Sequence, residues 1–276
     1  SSCNVAIGEF ALCGGLSTYN VAIGQRALCR GTTSEADVKC GNTGVGYFSL
    51  RNTLCGDYNT ALGFYSGITM YSGSRSSYVG AFSGYGSYNI YSTLIGYYAG
   101  FGITSGACNV ALGSLTLCGA TTGNNNIAIG HASGTDALCA ITTQSNIAIF
   151  GNNTTACVIQ KVATTVPSDC RDKTDYGTTP YGLNFVNALC PRTFKFDDRA
   201  LYPNTIPDGS LKEDKCRIGF LAQEVISAET CYNPDGQLLI ASCDNPDRYT
   251  VTESNMIPAL VKAIQELTER VEALEA

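Results

Sequence analysis

Short runs of alternating apolar and small residues recur along the first 150 positions. The unit reads Asn-x-Ala-(Ile/Leu)-Gly-x-x-(Ala/Ser)-(Leu/Gly). It appears as Asn4 to Gly8, Asn20 to Gly24, Asn42 to Gly46 and Asn59 to Gly63, then as two degenerate copies ending at Gly80 and Gly96. Asn109 to Gly113 and Asn126 to Gly130 restore it, and Asn146-Ile147-Ala148-Ile149-Phe150 reads as a last copy with Phe in place of Gly. Successive glycines lie 16, 22, 17, 17, 16, 17 and 17 residues apart, so the series is a true repeat. Asn suits the turn entering a strand, and the alternation puts Val and Ile on one face, Ala and Gly on the other. The branched face is expected to fill a core and the small face to admit a neighbouring backbone. Each unit then fits two short strands and two turns, one coil of a β-solenoid. Nine coils would rise roughly 40 Å at ~4.8 Å per strand. The 22-residue step implies an inserted loop near Thr32 to Lys39.

At Ser168 the style of the sequence changes. At the C-terminus Ile257, Ile264 and Val271 occupy heptad position a, and Leu260, Leu267 and Leu274 position d, with Glu266, Glu269, Arg270 and Glu272 flanking the seam. This is a parallel coiled-coil pattern. β-branched a with Leu at d leans toward two strands in simple peptides, so the heptads alone do not specify three. The first heptad reads equally well as an amphipathic helix packed on its own domain.

Charge changes at the same boundary. Residues 1–167 hold five acidic and six basic side chains, and residues 168–276 hold 18 and 11. A net charge of −6 without a basic run argues against nucleic acid as a partner. No apolar stretch is long enough for membrane insertion. The chain opens with Ser-Ser rather than Met and reads as a piece of a longer polypeptide. Fourteen cysteines occur without any Cys-x-x-Cys, so no metal or other cofactor is expected. Several follow the Leu of a repeat: Cys13, Cys29, Cys55, Cys118 and Cys139. Stacked coils come close enough for a disulfide, but small apolar side chains filling a corner is the plainer reading. His131, the only histidine, reads as an exposed strand residue, and a Ser-His triad is ruled out. The tyrosines between Tyr58 and Tyr98 could face a glycan, or simply be good strand residues. Asn152 and Asn153 each begin Asn-x-Thr, a glycosylation acceptor pattern.

The repeats at 4–150 resemble the head repeats of trimeric autotransporter adhesins of the YadA type, and similar repeats occur in phage and large-virus fibres. That resemblance implies a trimer. The segment Ser168-Asp169-Cys170-Arg171-Asp172-Lys173 resembles the Ser-Asp-x-Arg-x-Lys opening of the peptidase S74 family, an intramolecular chaperone and auto-processing domain. Three later blocks resemble the same family in order: Tyr181 to Leu189 with Phe194-Lys195-Phe196, Ile218 to Val225, and Met256 to Leu267. Asp172 and Tyr176 depart from its usual apolar residues. The resemblance implies self-cleavage between Pro167 and Ser168, with Ser168 as nucleophile, Lys173 as general base, and Asp169 and Arg171 as supporting motif residues. Arg171 is the expected cationic neighbour that makes Lys173 a base, whereas Asp169 and Asp172 oppose it if they pair with the lysine. Five residues do not align on one helical face, so Ser168 and Lys173 must meet through a turn or across two chains. Ser-Asp before a polar run is also an ordinary turn or N-cap signature.

The expected fold is mainly β: a trimeric β-solenoid or β-roll stalk of ~17-residue repeats, then a small α+β chaperone domain ending in a coiled-coil helix. The expected divisions are 1–151 for the stalk, 152–167 for the connection, 168–250 for the chaperone domain and 251–276 for the helix. The expected function is a homotrimeric viral fibre or tail-spike protein at the virion surface whose terminal domain drives trimerisation and then releases itself. The alternatives are an uncleaved trimerisation cap on a glycan-binding adhesin, and a bacterial cell surface as its location.

Overall fold

The computed structural model describes residues 3–14, 17–29, 39–53, 56–70, 73–86, 91–136, 140–155, 157–202, 204–233, 236–246 and 248–276. The chain divides into two compact units, Ser1–Ile159 and Gln160–Ala276.

The first unit is a parallel β-solenoid. Nine three-residue strands stack into one sheet in sequence order, from Val5–Ile7 and Val21–Ile23 through to Ile127–Ile129 and Ala148–Phe150. Register is kept at each step, for example Thr60↔Ser77, Ala61↔Tyr78 and Leu62↔Val79. Among the described residues each coil contributes one strand rather than the two expected. The remainder is turn, apart from one small parallel pairing of Ser17–Thr18 with Lys39–Cys40. The loop expected near Thr32 to Lys39 falls almost wholly outside the described residues, as do Cys55 and Cys139.

The two faces of the alternation are reversed relative to expectation. The small middle residues Ala22, Ala61, Ala111 and Ala128 are fully buried inside the coils, whereas the branched residues point outward, Ile7 being 58% exposed. The lumen explains this. Leu28, Leu50, Met70, Ile103, Leu117 and Ile141 enter it from the turns and fill it, leaving the strand only room for small side chains. Larger Tyr78 and Leu94 fit where the facing turn residues are Gly84 and Gly100, each in direct reach of the ring or side chain.

The motif Asn is more than a turn residue. Its side chain is buried, and its Oδ1 accepts the backbone N–H of the same position in the next coil: Asn42 from Asn59 at 2.9 Å, Asn59 from Ser76 at 3.0 Å, Asn109 from Asn126 at 3.0 Å. Its Nδ2 donates to a carbonyl of the same neighbour, Gly73 for Asn59 at 2.9 Å and Gly123 for Asn109 at 2.8 Å. In the degenerate copies Ser76 and Ser92 continue the column through Oγ, each accepting at 3.2 Å.

The last copy is shifted by one residue from its sequence alignment. Ile127 pairs with Ala148 and Ile129 with Phe150, and Asn126 Oδ1 receives the N–H of Ile147, not of Asn146. Gly151 donates to the carbonyl of Ile129 at 2.8 Å, the role that Gly130 plays toward Leu112. The motif Gly column therefore continues to Gly151, with Phe150 an outward residue. At these positions φ is strongly positive and the next coil is close. A Cβ on Gly63 (φ +141) would lie 2.6 Å from the Gly80 carbonyl oxygen.

In the second unit α1 (Leu183–Ala188), α2 (Ala222–Tyr232) and α3 (Met256–Glu275) surround a core containing Tyr181, Phe185, Val225, Ile240 and Met256. Arg192–Phe194 pairs antiparallel with Arg217–Gly219, and Ala241–Ser242 with Thr250–Val251. None of the described helices is long and apolar enough to cross a membrane.

Candidate functional site

Ser168 and Lys173 are brought together by a single 3-10 turn, Cys170–Asp172. Asp169 begins it in extended backbone (φ −70, ψ 133), and its Oδ1 accepts the Arg171 backbone N–H at 2.9 Å. The N-cap that Ser-Asp suggested is thus Asp169, which leaves the Ser168 hydroxyl unconsumed by capping. Asp172 donates its N–H to the Asp169 carbonyl at 3.2 Å and Lys173 to that of Cys170 at 3.3 Å. Tyr176 OH donates to the same Cys170 carbonyl at 3.2 Å. With the backbone folded back, Lys173 Nζ donates to Ser168 Oγ at 2.5 Å. The five-residue spacing is spanned within one chain.

Arg171 does not act as a free cation beside the lysine. Its Nε and Nη2 grip both oxygens of Asp169 at 2.5–3.1 Å. The hydrogen bonds from Arg171 hold the Asp169 carboxyl below its ordinary range, and the same pairing raises the guanidinium. The pair neutralises itself, so its contribution is to clamp the turn. Pro167, Ser168 and Lys173 are all exposed on this chain.

The C-terminal helix presents a second candidate surface. α3 buries Met256, Ala259 and Ala263 against its own unit. Ile257, Leu260, Ile264, Leu267, Val271 and Leu274 are all exposed, Ile264 at 63%. The in-chain packing therefore uses a different stripe from the heptad seam. Glu266 does not simply flank that seam: its Oε2 accepts the Leu183 N–H at 2.7 Å, holding the first turn of α1, and Lys262 donates to the Thr179 carbonyl at 2.6 Å. A Cβ on Gly182 would push that carboxylate aside.

On the solenoid the aromatic side chains stack on one another. Phe48, Tyr65, Phe82 and Tyr98 form a column with centroids 4.8–5.6 Å apart, all at turn positions with φ near +57. Tyr78 alone of the Tyr58 to Tyr98 group lies in a described strand, and it is buried. His131 is exposed but stands in a turn, not a strand.

One buried acid went unnoticed in the sequence. Glu229 in α2 is fully buried and accepts Tyr181 OH at 2.8 Å and the N–H groups of Leu239, Ile240 and Ala241 at 2.7–2.9 Å. Its position four residues after Val225, on the same helix face, is the signal that could have revealed it.

No family model matches the chain, and no curated protein or solved structure is significantly similar to it.

Proposed function

We propose that this chain is a homotrimeric fibre protein of a virion surface whose second unit guides assembly and then cuts the chain once between Pro167 and Ser168. The observation that carries the cut is the Lys173–Ser168 hydrogen bond at 2.5 Å, held by the Asp169–Arg171 clamp. A serine hydroxyl attacks an amide only if a base takes its proton, and a paired lysine is one solution. Ser168 Oγ attacks the Pro167 carbonyl carbon while Lys173 takes the hydroxyl proton. The C–N bond then breaks, Lys173 returns the proton to the departing α-amine of Ser168, and the ester formed is hydrolysed to a Pro167 carboxylate and the free hydroxyl.

Base action needs a neutral lysine, which desolvation favours. On one chain the turn is exposed. Burial by neighbouring chains would activate it, so that the cut follows assembly. Two exposed apolar surfaces support association: the outward strand ladder that includes Ile7, Leu62, Ile95 and Ile129, and the seam of α3.

Mass spectrometry under denaturing conditions tests the reading. Wild-type protein is expected as two pieces, 1–167 and 168–276, whereas Ser168→Ala and Lys173→Ala each remain near 29.1 kDa. Wild-type protein that is trimeric yet intact would overturn the cut and leave a permanent cap.

A further inference from the structure

We propose that Cys13 and Cys29 form a redox pair that closes into a disulfide between the first two coils by exchange with a small soluble disulfide of the glutathione type. Both occupy one position of the repeat, five residues beyond the motif glycines Gly8 and Gly24. Their coils are in strict register, Val5↔Val21 to Ile7↔Ile23. The pairing continues round the turn through Arg26 N–H to Glu9 O at 2.9 Å and Leu12 N–H to Ala27 O at 2.9 Å. Equivalent residues of hydrogen-bonded parallel strands stand about 4.8 Å apart, within the Cα separation that a disulfide spans. Farther along, the same repeat position carries Tyr85 and Phe101, whose rings stack at 5.0 Å. Side chains at this position thus meet between neighbouring coils. Cys118 occupies it too, but the same position of the coils on either side carries Phe101 and Thr135 in place of a cysteine.

The two thiols differ in access. Cys13 is exposed, and Cys29 is 8% exposed. Burial and a hydrogen bond with Cys13 push the Cys29 thiol up, while Arg51 and Arg26 offset part of this by favouring the thiolate. The exchange therefore starts outside. Cys13 thiolate attacks one sulfur of the small disulfide and displaces a thiolate. Cys29 thiolate then attacks Cys13 Sγ in the mixed disulfide and displaces the second. The protein pair is oxidised, the small disulfide is reduced, and the two thiol protons end on the two released thiols. The bond ties the strand Val5–Ile7, exposed throughout and paired among the described residues with Val21–Ile23 alone, to its neighbouring coil.

The test exposes native full-length protein to oxidised glutathione, alkylates the remaining thiols, digests with trypsin and sequences linked peptides. Cleavage after Arg26 and Arg30 leaves Cys13 in peptide 1–26, together with Cys3, and Cys29 in peptide 27–30. The expected product is these peptides joined through Cys13 and Cys29, lighter by two hydrogens. Cys3→Ser keeps the link, Cys13→Ser loses it, and dithiothreitol restores alkylation of both cysteines. Full alkylation of Cys13 and Cys29 after exposure, a lasting glutathione adduct on Cys13 beside a free Cys29, or a link from Cys29 to another cysteine would each overturn the proposal. The wild-type map stands without any variant, so a Ser variant that fails to fold does not remove the test.

Discussion

At the scale of single residues, the second unit depends on Glu229, a buried side chain whose two oxygens are occupied by four donors. Glu229→Gln turns an NH₂ toward those donors and is expected to destabilise the unit by about 2–4 kcal/mol, read as a lower urea midpoint. Tyr181 adds a pH dependence. Burial first, and then its bond to Glu229, push the phenol up to about 12 from an unfolded value of about 10. The folded state favours the neutral phenol, so this stabilisation is complete below pH ~10 and is lost as pH rises toward 12. Between those values the urea midpoint should fall more steeply in wild type than in Tyr181→Phe; parallel profiles would refute the linkage. Ser168 and Lys173 were paired by resemblance, and their spacing left a turn or a second chain as the way to meet; the turn is the one seen within a chain. Asp169 serving as both cap and clamp depends on a dihedral and a rotamer that residue types leave open. Glu229 was hidden because a glutamate in a polar-looking helix usually faces water.

At the scale of the coil, the repeat was legible because glycine is the residue that the contact between coils cannot replace. The final register shows the weight of that contact. Aligning Asn146 with Asn126 looks better in sequence, yet Gly151 takes the glycine position and Ile147 moves into the Asn column. The inward-outward assignment was misread because a two-residue period separates faces without naming the buried one. The lumen filling that decides it comes from turn residues such as Leu28 and Leu50, which lie at φ near +50. Leucine rarely adopts that conformation, and nothing in residue type announces it. Asn59→Ala would leave the Ser76 N–H and Gly73 carbonyl without their side-chain partner, costing on the order of 2–4 kcal/mol. Gly63→Ala should cost more, since its Cβ would meet backbone. Thermal melts of the two variants should rank in that order.

At the scale of the whole molecule, the heptads were legible as apolar spacing, while the stripe that α3 buries within its own unit was set by small Ala259 and Ala263, which a heptad count passes over. Because Ile264 and Leu267 are exposed on one chain, Ile264→Asp with Leu267→Asp should leave the second unit folded by circular dichroism. The same pair should shift the protein to monomer in sedimentation and suppress the self-cut. A trimer that persists would remove the seam from assembly. The glycine column has a further consequence for how such a chain can change over generations. From Gly8 to Gly130 each motif glycine lies against the backbone of the glycine in the next coil, so the joints repeat. Duplicating or deleting one whole unit of 16 or 17 residues recreates joints that already exist, whereas a single residue added within a strand breaks every contact at that level. The longer steps, 22 residues from Gly24 to Gly46 and 21 from Gly130 to Gly151, keep their strands in register, so their extra residues are absorbed outside the strands. Stalk length is therefore inherited in whole coils, and novelty in sequence accumulates between them.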